Sequence, residues 1–176
     1  MEKGYLQIYT GSGKGKTTAA LGLGLRAVGS GLKVIMFQFL KGVHSGELDS
    51  ASLLGDNFKI IRLAESGKFF GALNDAEKKE LRAKLRQELD QVREVMEQEL
   101  CDLLILDEIM AAFHGGLLSV EEVCLLVDAR PPGMEMVLTG RSAPQELIDR
   151  ADLVTEMSCV KHYMDRGVVA RRGIEK

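Results

Sequence analysis

The sequence predicts an α/β fold with a mostly parallel central sheet covered by helices. Two observations carry that expectation: short apolar runs alternate with amphipathic stretches along the chain, and several runs, such as Leu103-Leu104-Ile105-Leu106, are continuously apolar. A strand buried on both faces needs such a run, because its alternate side chains meet helices on either side. A third observation is a glycine-rich stretch, Gly11-Ser12-Gly13-Lys14-Gly15-Lys16-Thr17-Thr18, set between an apolar run and a helical pattern.

Strands are expected at Tyr5–Thr10, Lys33–Leu40, Phe58–Leu63, Asp102–Asp107, Glu135–Thr139 and Leu153–Met157. A helix over Thr17–Val28 follows the glycine-rich stretch and stops at Gly29-Ser30-Gly31. The longest helix runs from about Asp75 to Gln98. Its Leu81, Leu85, Leu89, Val92 and Met96 recur at spacings of four, four, three and four, which is one stripe of a helix. Asn74 with Glu77 and Ser119 with Glu122 have capping-box spacing; Ser142 to Gln145, with Pro144 in the first turn, reads as a third box. Two irregular stretches, Gly42–Asp56 and Ala64–Leu73, leave the C-terminal ends of expected strands, where open α/β folds place function.

Composition bounds the partners. The 176 residues carry a formal net charge of −3, which gives no global electrostatic case for nucleic acid or an anionic membrane. No apolar run reaches a membrane span, and the first strand starts too early to leave room for a signal peptide. Cys101, Cys124 and Cys159 are odd in number and lack C-x-x-C spacing, which suits reduced thiols in a cytoplasmic protein. His44, His114 and His162 are scattered, and none is read as a metal ligand.

Strand, glycine-rich loop, lysine, hydroxyl and helix together make a phosphate-binding loop. Its glycines let successive amides face one anion, Lys16 adds charge, and Thr17 offers a hydroxyl to a phosphate-bound Mg²⁺. The usual pattern is G-x-x-x-x-G-K-[ST]; here Thr10 stands at the first glycine position. Leu103 to Glu108 has the form of an acid-ending buried strand that holds Mg²⁺ opposite such a loop. Val137-Leu138-Thr139-Gly140-Arg141 ends a third strand at the same edge and brings Arg141 within reach of a phosphate or substrate.

These stretches resemble the P-loop ATP:corrinoid adenosyltransferases. The match runs through Thr10 to Ala20, Gln38-Phe39-Leu40-Lys41-Gly42, Leu106-Asp107-Glu108-Ile109, Val137 to Arg141 with Ala143-Pro144, and Ala151 to Met157. It closes with Val160-Lys161-His162 and Arg172-Gly173-Ile174-Glu175. Thr10 is itself a family trait, whereas Ser12 replaces the usual Asn. The resemblance implies a P-loop NTPase fold of the recombinase type, three layers around a mostly parallel sheet, with residues 1–176 forming a single nucleotide-binding domain. It implies transfer of the 5′-deoxyadenosyl group of ATP to corrinoid Co(I), as a cob(I)yrinic acid a,c-diamide adenosyltransferase type of enzyme. ATP and the corrinoid are then substrates, Mg²⁺ the cofactor, a flavoprotein the possible reductant and a homodimer the possible assembly.

By the same resemblance, Gly11, Ser12, Gly13, Lys14, Gly15, Lys16, Thr17, Thr18 and Arg141 bind the nucleotide. Thr17 and Glu108 hold Mg²⁺, with Asp107 behind them. No acid–base residue is required, because Co(I) is already a strong nucleophile. Corrinoid handling departs from the family's G-F-T-W motif: this chain reads Gly67-Lys68-Phe69-Phe70 and has no tryptophan. Phe69 and Phe70 are the candidates for an apolar wedge on the lower corrinoid face; packing in the core is the alternative. The early first strand is also expected to leave no N-terminal extension over the corrinoid, with either a more open site or coverage by another segment. A small-molecule kinase or ATPase, and a non-catalytic ATP- or corrinoid-binding module, are the competing readings.

Overall fold

The computed structural model describes residues 2–64 and 70–175. Six parallel strands form one sheet: β1 (Leu6–Thr10), β2 (Val34–Phe39), β3 (Phe58–Leu63), β4 (Leu103–Asp107), β5 (Glu135–Thr139) and β6 (Leu153–Glu156), in the order β3-β2-β4-β5-β1-β6. Each lies within a residue or two of its expected span. The helices are α1 (Lys16–Gly29), α2 (Gly46–Ser52), α3 (Asp75–Glu97), α4 (Ile109–His114), α5 (Val120–Asp128) and α6 (Gln145–Ile148).

The apolar runs explain the layers. Ile35, Phe37 and Phe39 of β2 and Leu104 and Leu106 of β4 face one core, built with Leu85, Leu89 and Val92 of α3 and with α4 and α5. Their alternate neighbours Val34, Met36, Leu103 and Ile105 face a second core under α1 and Ala51 of α2. The two-residue period of a strand thus feeds two helical layers from one sequence. The expected α3 stripe is buried as a unit, with Val95 added.

The boxes at Asn74–Glu77 and Ser119–Glu122 both close reciprocally, side chain to backbone in each direction. Each satisfies two helix-end amides and contributes about 1 kcal/mol. The third expected box does not form. Ser142 sits at φ 50°, outside any cap geometry, and Pro144 occupies the N-cap in extended conformation. Within the irregular stretch Gly42–Asp56 the chain makes the short helix α2, whose polar sequence gave no periodic signal. Of the second stretch, Phe70–Ala72 forms a single tight helical turn; Phe69 lies outside the described residues. Among the described residues no helix is long and apolar enough to cross a membrane.

Because all strands run parallel, the segments following β1, β2, β4 and β5 leave one edge together. β5 separates the glycine-loop strand β1 from the acid-bearing strand β4.

Candidate functional site

The loop between β1 and α1 is shaped by glycine where no other residue fits. Gly15 has φ 119°, and a Cβ at Gly13 would stand 2.7 Å from the Met157 carbonyl oxygen that the Gly13 amide bonds at 2.6 Å. Gly15 is also the N-cap and supplies no side chain. The first amides of α1 therefore have no intrahelical acceptor and open onto the groove above them, with the positive end of the helix dipole. Thr10 ends β1, and its Oγ1 accepts the Ala143 amide at 3.1 Å. This tie, which a glycine cannot make, fixes the β5–α6 segment that carries Arg141.

Lys16 is buried, and its Nζ donates to the Gly11 and Gly13 carbonyls at 2.8 Å each. Burial pushes its pKa down, while Glu108 opposes that shift. Lys14 points elsewhere: its Nζ contacts the Tyr163 hydroxyl at 3.2 Å and Glu175 at 3.3 Å. Tyr163 also donates to Glu175, and Arg171 closes this cluster at 3.0 Å from the same carboxylate.

Behind the loop lies a buried polar knot centred on Asp107. The β2–β4 register sets Gln38 beside Asp107. Asp107 is fully buried; its Oδ1 accepts from Thr17 Oγ1 at 2.8 Å and Thr139 Oγ1 at 2.7 Å. Its Oδ2 lies 3.0 Å from Lys41 Nζ, which is also 3.2 Å from Glu47. Gln38 Nε2 donates to Glu47 at 3.1 Å. Burial alone would raise the Glu47 carboxyl, but hydrogen bonds from Ser45, Gln38 and the backbone, with Lys41 nearby, outweigh it and hold it at about 2.

Glu108 follows in the left-handed region, φ 61°, and its amide donates to Thr139 Oγ1 at 2.9 Å. Burial and then Asp107 push its carboxyl up, while Lys16, Lys41 and Arg141 pull it down. Among the described residues it has no hydrogen-bond or ion-pair partner. Arg141 is exposed, and its guanidinium pairs with no carboxylate among them.

Two concavities meet at Glu108 and Arg141. The larger, about 1030 Å³, runs over Ser12 to Thr18 and between α1 and α2, with Glu47, Phe58, His162 and Glu175 in its walls. The smaller, about 270 Å³, is lined by Leu40, Phe70, Ala111, His114 and Gly115 besides those two. Phe70 is partly buried against the larger core, and its ring covers Gly115 so closely that a Cβ there would stand 2.7 Å from it. The Phe70 ring thus packs on the core, the alternative weighed for it, and also borders the small cavity.

A family model described as ATP:corrinoid adenosyltransferase BtuR/CobO/CobP matches residues 2–175. The chain belongs to this family. This adenosyltransferase is 34% identical over 176 residues to the corrinoid adenosyltransferase of Escherichia coli (strain K12), covering 99% of this chain and 86% of the relative. It is 34% identical over 175 residues to that of Salmonella typhimurium (99% and 86% covered). To that of Pseudomonas aeruginosa it is 35% identical over 179 residues (99% and 84%).

Among the described residues no three His, Cys, Asp or Glu side chains gather as a metal group. The donors present nevertheless fit Mg²⁺, which keeps most of its waters and takes phosphate oxygens. Thr17, Asp107, Glu108 and Glu47 are all hard oxygen donors at the loop. The Gln38 side-chain carbonyl oxygen is buried there without a hydrogen-bond partner among the described residues. The adenosyltransferase sequence singles out Thr17, Asp107 and Glu108 by motif. It marks Gln38 and Lys41 only as part of the stretch Gln38 to Gly42, with no role assigned, and it hides Glu47; one polar residue in the fully buried strand Val-Ile-Met-Phe-Gln-Phe is a signal in itself.

Proposed function

We propose that this chain transfers the 5′-deoxyadenosyl group of ATP to the Co(I) centre of a corrinoid and releases triphosphate, in adenosylcobalamin biosynthesis or salvage. The observation that carries the reading is the meeting of an open phosphate groove with a smaller, mainly apolar cavity across Glu108 and Arg141. One side suits a polyanion, the other the flank of a macrocycle, and the reacting atoms belong between them.

In this reading Gly11 to Thr18 grip the triphosphate as a leaving group. Cobalt attacks C5′ in line, the Co–C bond forms, and the C5′–O bond breaks with its electron pair leaving on the α-phosphate oxygen. No proton moves, so no general base is needed. The open amides of α1, Lys16 and Arg141 stabilise the charge that grows on the triphosphate, which makes catalysis a matter of positioning and electrostatics. Lys14 joins them after leaving Glu175. Thr17 and Glu108 would hold Mg²⁺ with Asp107 behind them, and the ion would supply further neutralisation of the phosphates. Phe70, with Phe69 beside it in sequence, presses on the lower corrinoid face.

Support for one nucleotide-binding domain over residues 1–176 comes from the single sheet that gathers all six strands. Its cysteines are free, which fits a cytoplasmic enzyme; the flavoprotein reductant rests on the family resemblance. The strand β6, exposed along its length, leaves a face for a second copy in a homodimer. The finer reading, a cob(I)yrinic acid a,c-diamide type of enzyme, rests on the family resemblance. Comparing kcat/KM on the diamide and on cobalamin tests it.

A product assay with ATP and chemically reduced corrinoid tests the main reading. A new Co–C absorption spectrum with equimolar tripolyphosphate is expected. ADP and phosphate with no Co–C bond would point to a kinase or ATPase; no reaction with retained binding would leave a carrier module.

A further inference from the structure

The polar knot at the tip of β2 contains more than the proposed reaction uses. Two carboxylates, Asp107 and Glu47, face one ammonium, Lys41 Nζ, at 3.0 and 3.2 Å. Asp107 is fully buried, and the Glu47 side chain is 17% exposed. Beside them the Gln38 side chain, 0% exposed, gives its amide nitrogen to Glu47 and leaves its carbonyl oxygen unpartnered. A buried acceptor left unpaired costs about 1–3 kcal/mol, so its retention needs a reason. The Thr17 hydroxyl bonds the far oxygen of Asp107. The two atoms that Lys41 Nζ pairs with are thus carboxylate oxygens, which a hard divalent cation accepts as ligands, and the Gln38 amide nitrogen donates to the same two, at 3.1 and 3.4 Å.

Lys41 is less enclosed than the buried Lys16. It sits in the segment between β2 and α2, with a quarter of its side chain exposed beside the phosphate groove. A flexible four-carbon stem lets its point charge move by several ångströms without backbone change. Lys16, buried and tied to two loop carbonyls, lacks that freedom.

We propose that Lys41 is a resident counter-ion for the divalent-cation position. It neutralises Asp107 and Glu47 while the groove is free of nucleotide, and it gives way to the cation that arrives with the triphosphate. Its ammonium then turns to the phosphates, and the Gln38 oxygen gains a cation or a cation-bound water as partner. The pocket thereby disfavours a bare divalent ion and favours the cation–nucleotide complex. This proposal rests on the triphosphate part of the proposed function and is independent of the corrinoid.

Mn²⁺ binding to the full chain, read by the loss of the free-ion paramagnetic resonance signal, tests it without any turnover. In the absence of nucleotide, Lys41→Met is expected to bind Mn²⁺ about tenfold or more tightly than wild type, equivalent to about 1.4 kcal/mol. A non-hydrolysable ATP analogue is expected to tighten Mn²⁺ binding far more in wild type than in Lys41→Met. Equal nucleotide-free affinities in the two proteins would overturn the proposal. Lys41→Arg keeps the charge and is expected to retain the weak wild-type affinity; tight nucleotide-free binding by this variant would also overturn it, even if Lys41→Met failed to fold. Loss of adenosyl transfer as a function would leave these affinities unchanged, so the two ideas fail separately.

Discussion

The proposed phosphate end and the proposed corrinoid end of this site are built by different means. At the phosphate end, backbone and buried hydroxyls do the positioning: Gly13 is pinned to Met157, Gly15 opens the helix, and Asp107 is fixed by the hydroxyls of Thr17 on α1 and Thr139 on β5. At the corrinoid end, a small cavity is walled by side chains from α4, from the segment after β3 and from the segment after β5. The first can be specified by a few residues of fixed geometry. The second needs only apolar bulk of suitable shape, which many sequences supply.

The largest expected effect breaks the phosphate end alone. Lys16→Ala removes one of the main charges facing the leaving group and should lower kcat/KM for adenosyl transfer by roughly 10³-fold, the scale of losing a preorganised oxyanion donor. Far-ultraviolet circular dichroism should show the fold intact. A loss of under tenfold would mean that Lys16 does not bear on the leaving group.

Next comes the polar knot, through pH. The Glu47 carboxyl is held at about 2, below its ordinary 4.5. Its ionised form therefore stabilises the fold above about pH 4.5, and this stabilisation fades as pH falls toward 2. The full effect is on the order of 3 kcal/mol. Urea unfolding at a series of pH values should show the wild-type curve descending more steeply below pH 4.5 than that of Glu47→Gln. Parallel curves would remove the knot from the account.

At the corrinoid end, Phe70→Ala separates the two characters of that ring. Loss of its packing over Gly115 should cost about 2 kcal/mol, less than a fully buried phenylalanine. Adenosylation of chemically supplied Co(I) should survive, whereas reductant-coupled turnover should fall. Unchanged turnover in both assays, for Phe70→Ala and for Phe69→Ala with it, would leave the ring as core alone. The smallest effect is a control on both ends: Asn74→Ala opens the α3 capping box, costs about 1 kcal/mol in thermal unfolding and leaves turnover unchanged.

The sheet was readable in the residues because two-sided burial writes itself as apolar runs, as in Leu103 to Leu106. The long helix was readable because its stripe has one period. Ser142 misled, since spacing alone does not reveal that a residue sits at φ 50°. Helix α2 was hidden because its seven residues bury one side chain, Ala51. At the site, Thr17, Asp107 and Glu108 belong to contiguous patterns. Lys41 and Glu47 meet only after β2 and α2 are folded, and Phe70 finds Gly115 across 45 positions of sequence. Local motifs carry chemistry that one segment performs; contacts assembled from several segments leave no such mark.

The central claim is that the bond broken lies between C5′ and oxygen, with the triphosphate leaving whole. ATP carrying ¹⁸O in the C5′–O–phosphorus bridge tests this directly in a single turnover with Co(I) corrinoid. The account predicts that all the label leaves in tripolyphosphate, with the adenosyl carbon on cobalt. Label retained on a 5′-hydroxyl or in AMP would place the attack at phosphorus and contradict it.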